Sequence, residues 1–412
     1  IEAAANNFFD CSQADLTYEQ AAIIIALLKG PTFYSPIRHP DKTKQRRNFI
    51  LELLCKNNFI SQERCKKLQE LPIQLSLKEN KRKLAPYLNE QVRKFVMQWS
   101  KKFGYDIYSD GLQIYTTIDS RVQKHAEDAV YEKMKEIQAR FDKHLNGKNP
   151  WIDEDGEEIE NFIENNMKNT DTYQNLIDKY GIEKAAEYLY VPRKVKLFSW
   201  DGEVEQEISP FDEIKYNKHF LHTGLVAIDP RKGDIKAWVG GINFKYFKYD
   251  HVQQGKRQPG SAFKPIVYAT ALDNGMSPND IVVDMPITFH NSGNVWTPKN
   301  VSNRFTGEKY TLRQALSRSI NSISAFLIKK FSPRLVVDYA HRLGINTKLQ
   351  ALPSLCLGSQ DVSVLELTNS YCTFMNKGIK TEPNFITCIK DKHGKELVTF
   401  VPMQEEAISE TT

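Results

Sequence analysis

The chain has 412 residues, of which 41% are hydrophobic and 26% charged, and a formal net charge of +5. That is length for two or three domains with enough apolar content to build their cores, which excludes a disordered chain; so mild a charge gives no ground for a nucleic-acid partner. The six cysteines (Cys11, Cys55, Cys65, Cys356, Cys372, Cys388) show neither CxxC spacing nor the density of a disulfide scaffold, and read as buried thiols.

The chain opens on Ile1, inside a run to Phe9 that already has helical patterning, so further sequence is expected upstream. No apolar stretch reaches the ~18 to 20 residues of a membrane span; the longest runs from Ala21 to Leu28. No signal peptide is present, and in a fragment neither absence assigns a compartment. Thr17 and Gln20 predict a capping box ahead of Ala21-Ala22-Ile23-Ile24-Ile25-Ala26-Leu27-Leu28, a buried helix that Lys29-Gly30-Pro31 ends with a C-cap glycine and a proline. After an irregular stretch from Thr32 to Pro40, the run Arg46 to Leu54 predicts an amphipathic helix with paired arginines at its start. The basic clusters Lys42-Thr43-Lys44-Gln45-Arg46-Arg47 and Lys81-Arg82-Lys83 would suit phosphates or lipid headgroups, but such clusters are more often solvated surface.

From about residue 76 to 220 the composition shifts to that of a linker with an insert. Alternating Leu112, Ile114, Thr116 and Ile118 predict a half-buried strand, and Asp119 opens an amphipathic helix through Tyr131. The stretch from Trp151 to Asn161 carries Asp153, Glu154, Asp155, Glu157, Glu158 and Glu160 with too few apolar residues for a core. Its carboxylates lack the ligand order of an EF-hand, so a solvated loop is expected rather than a metal site. Leu225 to Asp229 and Asp234 to Val239 flank Pro230-Arg231-Lys232-Gly233, which is hairpin chemistry. The aromatic loop that follows (Phe244, Tyr246, Phe247, Tyr249) is either a cleft wall or ordinary loop packing.

That loop leads to Gln258-Pro259-Gly260-Ser261-Ala262-Phe263-Lys264-Pro265, an apolar run from Ile266 to Leu272, and the stop signal Asp273-Asn274-Gly275. Ser261 and Lys264, three apart, share a face once the helix starts, close enough for the amine to reach the hydroxyl. A serine is a poor nucleophile until a base takes its proton, and a lysine serves only if its pKa falls from ~10.4 toward neutrality. Burial in the apolar segment behind Lys264 lowers it, and the free N–H groups at the helix start act in the same direction and offer a place for an oxyanion. The plainer reading is a serine N-cap before a core helix. Further on, Ser319-Ile320-Asn321 sets a hydroxyl and a carboxamide two apart, which face the same way on a tight loop but not in a helix. Aimed at Lys264, Ser319 would relay a proton to a leaving amine while Asn321 binds a substrate carbonyl and the lysine.

Those two motifs in that order resemble the serine acyltransferases that comprise penicillin-binding proteins and class A β-lactamases. Trp238-Val239-Gly240-Gly241, Arg257 with Gln258 to Ser261, Pro298-Lys299-Asn300, Leu352-Pro353-Ser354, Leu357-Gly358 and Leu365-Glu366-Leu367 extend the likeness. At the other end, Glu2 to Phe9, Asp15-Leu16-Thr17, Lys29 to Pro36 and Arg46-Arg47 resemble the C-terminal half of the peptidoglycan glycosyltransferase domain of class A penicillin-binding proteins. In that family the catalytic glutamate lies upstream, so no glycosyltransferase catalytic residue is assigned; Arg46 and Arg47 are either grips for a lipid pyrophosphate or surface charges. The family's Lys-Thr-Gly strand is missing. Lys380-Thr381-Glu382 is its nearest match and a decoy, since a glutamate there repels a carboxylate, and the polar tail from Asp391 to Thr412 ends without it.

The resemblance implies a multidomain α+β fold: the C-terminal part of a lysozyme-like helical glycosyltransferase domain at 1–75, a linker and insert at 76–220, and a β-lactamase-like α/β transpeptidase domain at 221–412, truncated at both ends of the chain. It implies catalytic residues Ser261, Lys264, Ser319 and Asn321, with no cofactor and no metal. The substrates would be D-Ala-D-Ala stem peptides and lipid II, with β-lactams as covalent inhibitors of Ser261. The enzyme would work on the periplasmic side of the cytoplasmic membrane, held by an anchor outside this chain. Two rivals share the fold: a monofunctional D,D-carboxypeptidase or β-lactamase, and a non-catalytic β-lactam-sensing scaffold.

Overall fold

The computed structural model describes residues 1–76, 84–153, 155–291 and 294–412. The basic triplet Lys81-Arg82-Lys83 and the acidic residue Glu154 lie outside the described residues. The chain divides into two units, Ile1–Lys83 and Leu84–Thr412.

The first unit is helical, with α1 (Glu2–Phe9), α2 (Tyr18–Lys29), α3 (Pro40–Lys56) and α4 (Gln62–Glu70). The expected capping box opens α2: Thr17 Oγ1 accepts from the Gln20 amide and Gln20 Oε1 from the Thr17 amide. Because Pro40 is favoured in a first turn, α3 starts well before Arg46. Arg47 corrects the expectation of a surface charge or pyrophosphate grip. Its side chain is fully buried, and its guanidinium donates to the Gln69 and Pro72 carbonyls at 3.0 and 3.5 Å, tying down the end of α4. A planar fork of donors suits that task. Arg46 lies over the Phe49 ring, 4.9 Å from its centre.

The second unit begins with α5 (Pro86–Phe103), β1 (Gln113–Thr116) and α6 (Ser120–Leu145). Asp119 caps α6 by accepting from the Arg121 and Val122 amides. The helix outruns its predicted end at Tyr131 because Val130, Met134 and Gln138 continue its buried face. All four residues of β1 are exposed, which corrects the half-buried reading: the strand lies at the edge of its sheet. The insert holds α7 (Phe162–Met167), α8 (Asp171–Tyr180), α9 (Ile182–Tyr188), the hairpin β2 (Arg193–Ser199) and β3 (Gly202–Ile208), and α10 (Pro210–Lys218). It has a core of its own around Trp151, Ile163, Tyr173, Leu176, Leu189 and Ile214. The Asp153 carboxylate accepts from the Asp155 and Glu157 amides within the acidic loop. Among the described residues no group of acids, histidines or cysteines is placed to hold a metal ion.

β4 (Leu225–Ile228) and β5 (Ile235–Val239) are the expected hairpin, with Ala227 opposite Ala237. The buried Gln123 of α6 acts as a strand partner for β5: the Trp238 amide donates to its Oε1 at 2.7 Å and its Nε2 donates to the Trp238 carbonyl at 3.0 Å. Three of the four residues of the aromatic loop serve as packing, while Tyr249 stays exposed. Phe244 meets Tyr87 edge-on at 4.9 Å, and Tyr246 and Phe247 pack around Phe198.

The elements that follow are β6 (Lys256–Arg257), a 3₁₀ turn at Gly260–Phe263, α11 (Lys264–Asp273), β7 (Ile281–Val283), β8 (Phe289–Asn291), β9 (Asn294–Trp296), β10 (Lys309–Thr311), α12 (Leu312–Ser317), α13 (Asn321–Phe331) and α14 (Pro333–Arg342). A second 3₁₀ turn at Pro353–Leu357 precedes β11 (Val362–Ser363), α15 (Val364–Met375), β12 (Ile379–Thr381), β13 (Ile386–Lys390), β14 (Glu396–Thr399) and β15 (Gln404–Glu406). α11 is apolar on nearly every side because it is the centre of this unit's largest core, with Ile266 and Val267 packed among Ile323, Leu327, Val336 and Ala340. The sheet containing β1 runs in the order β1-β13-β14. The polar tail is built into the fold, for the Ser409 amide and Thr412 hydroxyl donate to Asp273 at the end of α11. Lys380-Thr381-Glu382 belongs to the β12–β15 ribbon, where Lys380 forms an ion pair with Glu405.

Candidate active site

Two local devices expose Ser261 and bring its neighbours up to it. Gly260, at φ +58°, turns the chain into the 3₁₀ turn that carries Ser261, and α11 then starts with Pro265 in its first turn, where a missing N–H costs little. Ser261 is exposed; Lys264, at the head of α11, is 1% exposed. On the facing segment α12 ends in a Schellman motif, with the Ile320 amide bonded to the Ala315 carbonyl and the Ser319 amide to the Leu316 carbonyl, both at 3.0 Å. That motif needs a left-handed residue, normally glycine, and here it is Ser319 at φ +54°. A side chain there costs about 1 to 2 kcal/mol. The strain brings the Ser319 hydroxyl to Ser261, and Asn321 opens α13 two residues on, so the tripeptide joins two helices as the tight loop the spacing predicts.

The four predicted residues meet in one hydrogen-bonded cluster. Lys264 Nζ donates to the Ser319 carbonyl at 2.7 Å, to Ser319 Oγ at 2.9 Å and to Asn321 Oδ1 at 2.6 Å. Ser319 Oγ in turn donates to Ser261 Oγ at 3.0 Å. This corrects one expectation: the amine does not bond to Ser261 directly, because three fixed oxygens of the Ser319–Asn321 loop take it up, and Ser319 stands between them. Burial brings Lys264 down from the ordinary lysine value to about 8, since an ammonium loses its hydration there. Cys356 packs in the same core, and burial pushes its thiol up to about 12, so it stays neutral.

Other amides at the helix start are already engaged. Those of Gly260, Ala262 and Lys264 bond to the carbonyls of Gly358, Pro259 and Ser261, so an oxyanion cannot be held by these three as first expected. Sequence reasoning also missed Tyr371 of α15, whose hydroxyl donates to the Ala262 carbonyl at 2.8 Å and braces the turn beside Ser261. Nothing local in its helix marks it. Tyr371→Phe is expected to cost about 1 kcal/mol of stability and to slow acylation of Ser261 a few-fold, measured by thermal melting and penicillin uptake.

The cluster lies within a segment that matches a known family. Residues 1–55 match the transglycosylase family, 146–221 the penicillin-binding protein middle domain, and 223–412 the penicillin-binding protein transpeptidase domain. Penicillin-binding protein 1A of Aquifex aeolicus is 31% identical over 422 residues, covering 99% of this chain and 56% of the relative. The Pseudomonas aeruginosa penicillin-binding protein 1A is 28% identical over 458 residues, covering 100% and 54%. The crystal structure of penicillin-binding protein 1A from Haemophilus influenzae superposes with a TM-score of 0.66 at 25% identity, covering 98% of this chain and 62% of that one. PonA1 from Mycobacterium tuberculosis, solved in complex with penicillin V, shares the fold over 80% of this chain and 68% of its own, with a TM-score of 0.50 and 21% identity. The chain spans about half the length of the curated relatives it matches. With a transglycosylase match and a transpeptidase match in one chain, it belongs to the class A penicillin-binding proteins of the 1A type.

Proposed function

We propose that this chain is the crosslinking half, with part of the polymerising half, of a bifunctional peptidoglycan synthase, and that Ser261 is its acylated nucleophile. The observation that carries the reading is the continuous path Ser261–Ser319–Lys264, ending on an amine poised near neutral pH. When that amine is neutral it keeps two N–H donors and one lone pair. The Ser319 carbonyl and Asn321 Oδ1 only accept, so they hold the two donors, and the lone pair can face only Ser319 Oγ. Two hydroxyl rotations then reverse the path: Ser261 donates to Ser319 and Ser319 to Lys264. Ser261 Oγ attacks the D-Ala-D-Ala carbonyl, its proton passing through Ser319 to the amine. The C–N bond breaks, the leaving D-alanine takes that proton back along the same path, and the ester remains on Ser261. An amine from a neighbouring stem peptide then attacks the ester, forming a new amide and freeing the serine.

A β-lactam presents an acyl carbonyl to the same serine, in keeping with the penicillin V complex of PonA1. Lipid II would be the substrate of the glycosyltransferase whose matched segment is residues 1–55; its catalytic glutamate is assigned to no residue here. That match also disfavours a monofunctional carboxypeptidase or β-lactamase. No helix among the described residues is long and apolar enough to cross a membrane; the reading sets the enzyme on the periplasmic face of the cytoplasmic membrane, tethered through an anchor beyond these residues. The test is mass spectrometry of the penicillin-treated intact protein. A single penicilloyl adduct on the peptide containing Ser261, lost in Ser261→Ala, is expected, and an adduct mapped to another residue overturns the assignment. Turnover of a D-Ala-D-Ala peptide separates the enzyme from a sensing scaffold.

A further inference from the structure

The direction of the Lys264 lone pair depends on which way the Asn321 carboxamide is turned. With its oxygen toward the amine, the lone pair faces Ser319. Turned over, its NH₂ would offer the amine a donor, and the lone pair would be drawn away from the path to Ser261.

Asn321 is held by groups outside its own motif. Its Nδ2 donates to the Lys299 carbonyl at 2.8 Å, which leaves Oδ1 for Lys264. The next residue, Asn300, accepts at Oδ1 from the amides of Asn321 at 3.0 Å and Ser322 at 3.2 Å. It thereby caps α13, whose own N-cap, Ile320, has no side chain able to do so. Asn300 is an amide too, and its own turn is set by what surrounds it. Its Nδ2 donates to Asp284 Oδ1 at 2.8 Å and to the Arg304 carbonyl at 3.1 Å.

Asp284 is the charged partner in that setting. It is 2% exposed, just after β7, and is surrounded by donors: Asn300 and Ser322 Oγ (2.6 Å) on Oδ1, and the amide and hydroxyl of Thr306 (both 2.9 Å) on Oδ2. Burial alone would raise its pKa, but these hydrogen bonds outweigh it and hold the group below the ordinary value, so it is ionised. An ionised carboxylate only accepts. It therefore takes the NH₂ of Asn300, as the Arg304 carbonyl does, while the Asn300 oxygen meets α13; the residue before it, Lys299, takes the NH₂ of Asn321 on its carbonyl.

We infer that Asp284 and Asn300 are positioning residues for the acyl-transfer site, a polarity relay that sets the Asn321 carboxamide and through it the Lys264 amine. The inference rests on the proposed role of Ser261 and Lys264. Asn300→Asp tests it: the oxygen facing α13 remains, but two carboxylates now meet and the NH₂ is gone. Adding Asp284→Asn exchanges the pair. In that double variant the carboxamide at position 284 donates to the carboxylate at position 300, its oxygen accepts from Thr306, and Ser322 can accept the second N–H; the Arg304 carbonyl lacks its donor in both the single and the double variant, so their ratio isolates the exchange.

The readout is the second-order rate of acylation by a fluorescent penicillin, per titrated site, from pH 6 to 9.5 in the intact protein, beside its melting temperature. The relay predicts at least about a tenfold loss in Asn300→Asp that persists at pH 9.5, because orientation rather than protonation is lacking. It also predicts recovery to within about threefold in the exchanged pair. A loss that vanishes at high pH, a melting change with no change in rate, or an exchanged pair no faster than the single variant overturns the relay. If the wild type takes up no penicillin at Ser261, the reading of the site falls as well; a wild type that acylates normally beside an unimpaired Asn300→Asp refutes the relay alone.

Discussion

Lys264→Met is expected to lower the acylation rate of Ser261 by about 10³-fold while the protein still folds. Methionine nearly matches the buried aliphatic stem of a residue that is 1% exposed and packed in the main core, so volume is kept and the base alone is lost. The variant leaves the Ser319 carbonyl and Asn321 Oδ1 without their donor, a modest destabilisation that melting will register. The wild-type pH profile belongs to the same prediction. Burial lowers Lys264 to about 8, and the reactive form is the neutral amine, whose fraction grows as pH rises. The rate should climb roughly tenfold between pH 7 and 9 and then level off, whereas the methionine variant should show no such limb. A wild-type profile flat across that range would remove Lys264 as the base.

The second large effect is remote in sequence. Gly358, at φ +67°, lies against Gly260, the residue before Ser261; a Cβ there would sit 2.7 Å from the Gly260 amide nitrogen and closer still to its carbonyl oxygen. Both are backbone atoms and cannot rotate away. Gly358→Ala should therefore displace the turn that carries Ser261 and break the bond from the Gly260 amide to the Gly358 carbonyl. Left-handed strain and overpacking together should cost about 2 to 5 kcal/mol, and a misplaced nucleophile about 10² in acylation rate. Gly275→Ala is the control: φ is +92°, yet nothing lies within 4 Å of the added carbon, so stability should fall without a change in per-site rate. Equal rates in both variants would show that Gly358 does not set the nucleophile.

Ser261 and Lys264 were legible because local spacing and an unusually apolar following run carry their signal, and the same holds for the Thr17–Gln20 box, the 225–239 hairpin and the Ser319 loop. Elsewhere the local signal misled. Paired arginines look like surface charge until a neighbouring helix end, supplied by Gln69 and Pro72, encloses Arg47. The alternation of β1 reads as half-buried, and being at the edge of its sheet leaves it exposed. The insert's composition resembles a linker, though dispersed apolar residues such as Trp151, Leu176 and Ile214 assemble into a core.

Short-range chemistry in the chain thus marked a candidate nucleophile, its candidate base and the helix that buries that base, since three residues of helix suffice to set them on one face. It could not specify who contacts whom across the fold. That the amine meets Ser319 rather than Ser261, that Tyr371 and Gly358 brace the turn, and that Asp284 takes up the Asn300 carboxamide all depend on segments far apart in sequence brought within hydrogen-bonding range by the core around α11. Hydrogen bonds and steric contacts act over a few ångströms, so the partners they join are chosen by packing, whatever their separation along the chain.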